Sequence, residues 1–175
     1  MTAGSPRVLV AYGTKNGSTA EIARHIGDVL AEAGCATAVR PAGEVTGELT
    51  VYDAVVLGGA LYAGRWHRDA RRFARRARRQ LESRPVWLFS SGPLDASAAD
   101  RSIPPVPGAR RVAHRIDARG HVTFGGRLDG NARGRIARMI VRSGQGGDYR
   151  DFDQIRTWAE GIAREVGPGP ARFRP

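Results

Sequence analysis

The sequence predicts a three-layer α/β sandwich in which a five-stranded parallel sheet, in the order 2-1-3-4-5, carries helices on both faces. Three observations predict it. Short apolar runs alternate along the chain with longer amphipathic stretches, the pattern of strands joined by helical crossovers. The runs Val8-Leu9-Val10-Ala11 and Ala54-Val55-Val56-Leu57 are continuously apolar, as in strands covered on both faces. The first run stops at Gly13 and passes through a loop of hydroxyl residues and glycine straight into a helix. Right-handed crossovers then set the winding of the sheet.

The elements follow in order. Residues 7–12 form the first strand. Residues 19–33 form a helix with Ile22, Ala23, Ile26, Val29, Leu30 and Ala33 on one face, stopped by Gly34. Strands follow at 36–40 and at 51–58, the latter ending in Gly58-Gly59. A helix over 69–83 has the inner stripe Ala70, Phe73, Ala74, Ala77 and Leu81. The fourth strand is 86–90, a short basic helix covers 109–116, and the fifth strand, 121–124, ends at Gly125-Gly126. The closing helix spans 151–166, with Asp151 and Gln154 spaced as a capping box and Phe152, Ile155, Ile162 and Val166 inward. One domain is expected over 1–167, with 127–150 inserted as a loop over its active end, and a disordered Gly/Pro tail over 168–175.

The 175 residues, 41% of them hydrophobic, suffice for one domain with a full core. Residues 1–7 lack the apolar core of a signal peptide, and no apolar run reaches the roughly 20 residues that span a bilayer. The single cysteine, Cys35, is compatible with a reducing compartment and reads as a small buried thiol. The expected location is the cytoplasm, with peripheral contact to the inner face of the cell membrane as a further expectation. The net charge of +11, nearly all of it from arginine, favours anionic partners.

The chemistry concentrates in Thr14-Lys15-Asn16-Gly17-Ser18-Thr19. Such a loop turns backbone N–H groups and hydroxyls toward one point at the positive end of a helix dipole, which makes a phosphate site. A Walker loop would need Gly-Lys-Ser/Thr, and here Gly17 is followed by Ser18. A dinucleotide fingerprint would need three glycines, and only Gly13 and Gly17 are present. Lys15, the one lysine of the chain, reads as solvated, and no metal is called for. The alternative is an ordinary strand-to-helix turn in which Ser18 or Thr19 caps the helix.

In a sheet of this order, ligands bind beyond the carboxyl ends of the first and third strands. Receiver domains share the order but need aspartates there, where this chain has Tyr12-Gly13 and Gly58-Gly59. Three loops should converge: 14–19, then 58–67 after the third strand, then 90–95 after the fourth. The spacing of 14–19 resembles the flavodoxin FMN-phosphate loop, Thr/Ser-x-Thr-Gly-x-Thr, with Asn16 in place of the middle threonine. The resemblance implies a flavodoxin-like fold with FMN as cofactor. Thr14, Lys15, Asn16, Gly17, Ser18 and Thr19 would hold its phosphate, and Ala60, Leu61, Tyr62, Gly64, Ser90, Ser91 and Gly92 its ring. Tyr62 or Trp66 offers a stacking surface, although Trp66 also continues the apolar stripe of the next helix.

Gly58-Gly59-Ala60 through Gly64-Arg65-Trp66-His67, together with Gly147-Asp148-Tyr149-Arg150-Asp151-Phe152, resembles the menaquinone-dependent protoporphyrinogen IX dehydrogenase family. Those are flavodoxin-domain proteins with a long loop inserted before the last helix. The resemblance implies an FMN oxidoreductase of heme biosynthesis, taking electrons from a porphyrinogen-like anionic donor and passing them to a quinone. His67, Arg65 and Arg127 are the catalytic candidates, the arginines as receivers of donor carboxylates. The insertion carries Arg127, Arg133, Arg135, Arg138 and Arg142 around Ile136, Met139, Ile140 and Val141. It reads either as a basic amphipathic helix on an anionic membrane or as a helix packed on its own domain. The arginine face of 68–79 lacks the interleaved aromatics of a nucleic-acid module. The alternative function is a flavodoxin-type electron carrier without its own substrate turnover, and a further one is a basic binding module.

Overall fold

The computed structural model describes residues 4–92, 97–100, 102–131, 134–144 and 146–167. Its strands are β1 (Arg7–Gly13), β2 (Ala36–Pro41), β3 (Ala54–Tyr62), β4 (Arg65–Trp66), β5 (Val86–Ser91), β6 (Gly120–Phe124), β7 (Arg127–Leu128) and β8 (Gly147–Asp148). Its helices are α1 (Ser18–Glu32), α2 (Arg68–Arg76), α3 (Arg78–Glu82), α4 (Ser97–Asp100), α5 (Pro107–Arg115), α6 (Arg135–Arg142) and α7 (Phe152–Val166). The five long strands pair in parallel in the order β2-β1-β3-β5-β6, the expected order of the wound sheet.

Strand alternation sorts the core into two layers. Val8, Val10, Val56 and Phe89 face α1 and α7, while Leu9, Ala11, Leu57 and Leu88 face α2, α3 and α5. Trp158 of α7 meets Phe89 and Phe124 edge-on at 6.2 and 5.6 Å, an aromatic trio under that face. Cys35 is buried, and burial pushes its thiol pKa up.

Several boundaries differ from the sequence reading. The third strand does not cover 51–58; it runs from Ala54 to Tyr62. Its start moves because Arg84 donates to the carbonyls of Leu49 and Tyr52 and holds that stretch as a turn. Its end moves because Gly58 and Gly59 do not break it. A Cβ on Gly58 would sit 2.0 Å from the Phe89 ring, and one on Gly59 2.5 Å from the Trp66 indole. The two glycines therefore admit an aromatic ring on each face of the strand. Beyond them the chain turns at Ala63 and Gly64, with φ of 48° and 70°, and β4 pairs back antiparallel, a two-residue hairpin.

The helix expected over 69–83 is divided at Ala77 into α2 and α3, yet the inner stripe Ala70, Phe73, Ala74, Ala77 and Leu81 is buried throughout. Asp151 caps α7, accepting from the N–H groups of Asp153 and Gln154 at 3.0 Å. The second half of the box is absent: the Gln154 Nε2 group donates to the Ala98 carbonyl at 2.9 Å, and its Oε1, the acceptor the box would use, is buried with no partner among the described residues. Phe152 is not inward. It precedes the buried stripe Ile155, Ala159 and Ile162, and is 37% exposed between the His25 ring and the Arg150 guanidinium. The segment 168–175 lies outside the described residues.

The insertion has its own architecture. β7 and β8 pair antiparallel, Arg127 with Asp148 and Leu128 with Gly147, closing a neck from which α6 hangs. Ile140 and Val141 of α6 pack against Leu128, as does Tyr62 of β3, so the helix lies against its own domain.

Candidate functional site

At the carboxyl ends of β1, β3 and β5 lies a cavity of about 420 Å³, within the range of small-molecule sites. Thr14, Lys15, Asn16, Ser18 and Thr19 line one end; Ala60, Leu61, Tyr62, Ala63 and Gly64 form a wall; Ser91 and Gly92 form another. Gly126, Arg127, Leu128 and Ile140 complete it from the insertion side.

The loop end is built to receive an acceptor. Gly17, at φ 87°, is the N-cap of α1 and makes no side-chain cap, so neither Ser18 nor Thr19 serves as the helix cap. Both hydroxyl residues instead sit buried inside the first turn. Thr14 Oγ1 accepts from Gly17 N–H at 3.0 Å and shapes the loop. Ser18 Oγ accepts from Arg127 N–H at 3.1 Å, which leaves its own proton to donate. Thr19 Oγ1 is buried and has no partner among the described residues. Such an orphan costs about 1–3 kcal/mol, and a bound anion would relieve it.

The charge beside this end is balanced. Glu21, in the first turn of α1, would repel an anion if left alone. Arg127 reaches it at 2.8 Å and Arg150 at 2.5 Å, and Arg150 also holds Asp148 at 2.7 Å. The Arg150 hydrogen bond, then the charges of Arg150 and Arg127, hold the Glu21 carboxyl below the ordinary carboxylate range despite some desolvation. The same cluster fastens both strands of the insertion's neck to the first turn of α1.

At the other end the β3–β4 hairpin presents Leu61, Tyr62, Ala63 and Gly64. The Lys15 ammonium lies 3.9 Å from the centroid of the Tyr62 ring, a cation–π contact at the mouth. Gly92 N–H donates to the Phe124 carbonyl, and Gly126 packs on Gly92 so closely that a Cβ would lie 3.2 Å from its backbone.

The remaining sequence candidates are placed elsewhere. Gly17 supports the loop from the cap position without lining the cavity. Ser90 points to the opposite face from Ser91, as alternation requires, and lies 2.8 Å from His121 Nε2. Burial pushes the His121 pKa down to about 4. Trp66 is not a stacking surface: it is 1% exposed, lies against Gly59 and donates to the Phe89 carbonyl at 3.3 Å. His67 caps α2, its Nδ1 accepting from Asp69 N–H at 3.2 Å, and burial lowers its pKa. It packs beneath Gly13 and does not line the cavity. Arg65 is exposed on β4, also outside the lining. Arg127 does line it, with its guanidinium engaged by Glu21.

Sequence reasoning missed Ala63, Gly126, Leu128 and Ile140 as wall residues. The Gly125-Gly126 pair was a usable signal, because a strand-end glycine pair beside a strand-end Gly92 implies close backbone approach. Leu128 and Ile140 carried none, since their place depends on how the insertion folds back.

The residues present fit FMN. The phosphate end supplies hydroxyl donors, one of them orphaned, and a helix N-terminus; the walls are apolar and partly glycine, as a flat ring requires.

The Flavodoxin domain family model matches residues 9–150. No curated protein matches the chain. Among solved structures, a flavodoxin from the domain Archaea is 13% identical, with a TM-score of 0.58 over 91% of this chain and 98% of that one. A flavodoxin from Streptococcus pneumoniae is 15% identical, with a TM-score of 0.59 over 91% of this chain and 99% of that one. The rubredoxin oxygen:oxidoreductase of Desulfovibrio gigas is 13% identical, with a TM-score of 0.60 over 93% of this chain but 37% of that one. At these identities the likeness is one of fold.

Proposed function

The chain belongs to the flavodoxin domain family, and from that premise we propose that it is an FMN-binding flavoprotein that transfers electrons. The observation that carries the reading is the orphaned Thr19 hydroxyl, buried at the start of α1 where a cavity opens to it. Bound FMN supplies the redox chemistry, gaining and losing electrons through its ring system. The protein's share is binding and electrostatics. Ser18, Thr19 and the first-turn amides of α1 would hold the phosphate, and Arg127 and Arg150 neutralise Glu21 so that it does not oppose that charge. Leu61, Tyr62, Leu128 and Ile140 would exclude water from the ring. Purified protein should carry or take up one equivalent of FMN, seen as flavin absorbance, and should accept electrons from dithionite. A protein that binds no FMN contradicts the proposal.

A second reading makes the chain an FMN-dependent oxidoreductase with an anionic, porphyrinogen-like donor and a quinone acceptor. What favours it is the insertion, which adds Leu128 and Ile140 to the cavity wall and so supplies apolar surface for a second ligand. Steady-state oxidation of protoporphyrinogen IX with a menaquinone analogue separates the two. Turnover supports the enzyme; its absence, with fast electron exchange to protein partners, supports the carrier.

A further inference from the structure

We propose that the outer face of α6 is a docking surface for an acidic electron-transfer protein; this rests on the reading that the cavity holds FMN. Arg135, Arg138, Met139 and Arg142 stand at positions i, i+3, i+4 and i+7 and so share one face of the helix. All four are exposed, Met139 to 63%, and they border a surface hollow of about 300 Å³. The helix contains no acidic residue, and among the described residues no ion pair reaches these three arginines.

Like charges one turn apart repel, and a cation in the first turn opposes the helix dipole. An eight-residue helix has no stability of its own to offset that repulsion. The arrangement is thus unfavourable in the free protein and complementary to an anionic face.

Two observations select a protein rather than a lipid surface. An interfacial helix buries a broad apolar face in the bilayer boundary. In α6 Ile140 and Val141 are turned inward against Leu128, and among the described side chains of the helix Met139 is the one apolar residue left exposed. An exposed methionine among arginines suits an adaptable protein contact. The placement suits electron exchange as well. Ile140, on the opposite side of the same helix, lines the cavity, so a docked partner is separated from it by roughly one helix diameter, about 10 Å.

The test compares the wild type with the triple variant Arg135→Glu, Arg138→Glu, Arg142→Glu. Rubredoxin serves as the acidic probe and cytochrome c as the basic one. Equilibrium binding of each is measured on apo and FMN-loaded protein, at low and at physiological ionic strength. In a second arm, dithionite-reduced protein passes one electron from the reduced flavin to the ferric iron of either probe.

Wild-type protein should bind rubredoxin in a salt-sensitive way, and the variant should lose about tenfold in affinity and in electron-transfer rate. Cytochrome c should respond in the opposite direction, while flavin reduction by dithionite stays unchanged. Rubredoxin binding unaffected by the variant overturns the proposal. Arginine-dependent binding to phosphatidylcholine–phosphatidylglycerol vesicles, with none to rubredoxin, also overturns it and assigns the face to a membrane. Failure to retain flavin overturns the cofactor reading alone, because binding to the apoprotein still reports on the surface.

Discussion

Thr19 is the residue on which the cofactor site turns, and its hydroxyl predicts opposite effects in the two states of the protein. Thr19→Val keeps the shape and removes the orphan. The apoprotein should lose no stability in urea, or gain a little, since a buried unpaired donor disappears. FMN affinity should fall by about 1.5–3 kcal/mol, roughly 10- to 150-fold, the range for a hydrogen bond to a charged group. Riboflavin affinity should not move; equal losses for both flavins would put the phosphate elsewhere. His121 carries a second residue-scale expectation. Its folded pKa, about 4, lies below the ordinary 6.5, so the unfolded chain binds the proton more readily. Stability should therefore decline as pH falls from about 6.5 toward 4, and His121→Gln should flatten that part of the profile. Individual residues were unevenly legible. The hydroxyls of 14–19 were readable because a phosphate loop needs donors at fixed spacing. Trp66 and His67 were not, because the chain does not reveal that Gly59 and Gly13 leave room for their rings.

Among the elements, β3 and the insertion carry the most consequence. Gly59→Ala should cost about 1–3 kcal/mol, since the Trp66 indole must give way, and the loss should appear as a lower urea midpoint with unchanged m. The insertion should be separable below its neck. Replacing residues 129–146 by a short glycine–serine link keeps Leu128 next to Gly147, and the sheet should still fold and bind FMN. Quinone reduction, if present, should drop sharply with the loss of the Ile140 wall; unchanged kinetics would remove the insertion from the site. The Glu21 clasp should be felt as proteolysis. Glu21→Gln should speed tryptic nicking at the exposed arginines of α6 while the sheet remains intact. Glu21 and Asp148 both have lowered pKa values, each held down first by hydrogen bonding from Arg150. The stability they add is present above the ordinary carboxylate range and lost as pH falls through their lowered values, so Asp148→Asn should shift the acid limb of the unfolding curve. The central parallel strands β1, β3 and β5 were legible as elements because each opens on or contains a continuous apolar run. The β3–β4 hairpin and the β7–β8 neck were not, since two-residue strands have no period to read.

For the whole molecule, the sheet order was legible because alternating strands and helices leave few windings to choose from. The family match over residues 9–150 agrees with that reading at the level of the fold. FMN at about one hundred times its dissociation constant should stabilise the protein by about 2.7 kcal/mol. In a domain of this size that raises Tm by roughly 5–10 °C, and a thermal scan with riboflavin at the same concentration should show a smaller rise. The charge of +11 is distributed as arginine almost throughout, and Lys15 is the one lysine. That side chain sits over Tyr62 at the mouth of the cavity. Amine-directed chemistry on the intact protein thus has a single side-chain target, so an acylating dye would place one reporter at the entrance, and its protection by a bound molecule would convert occupancy into a mass-spectrometric signal.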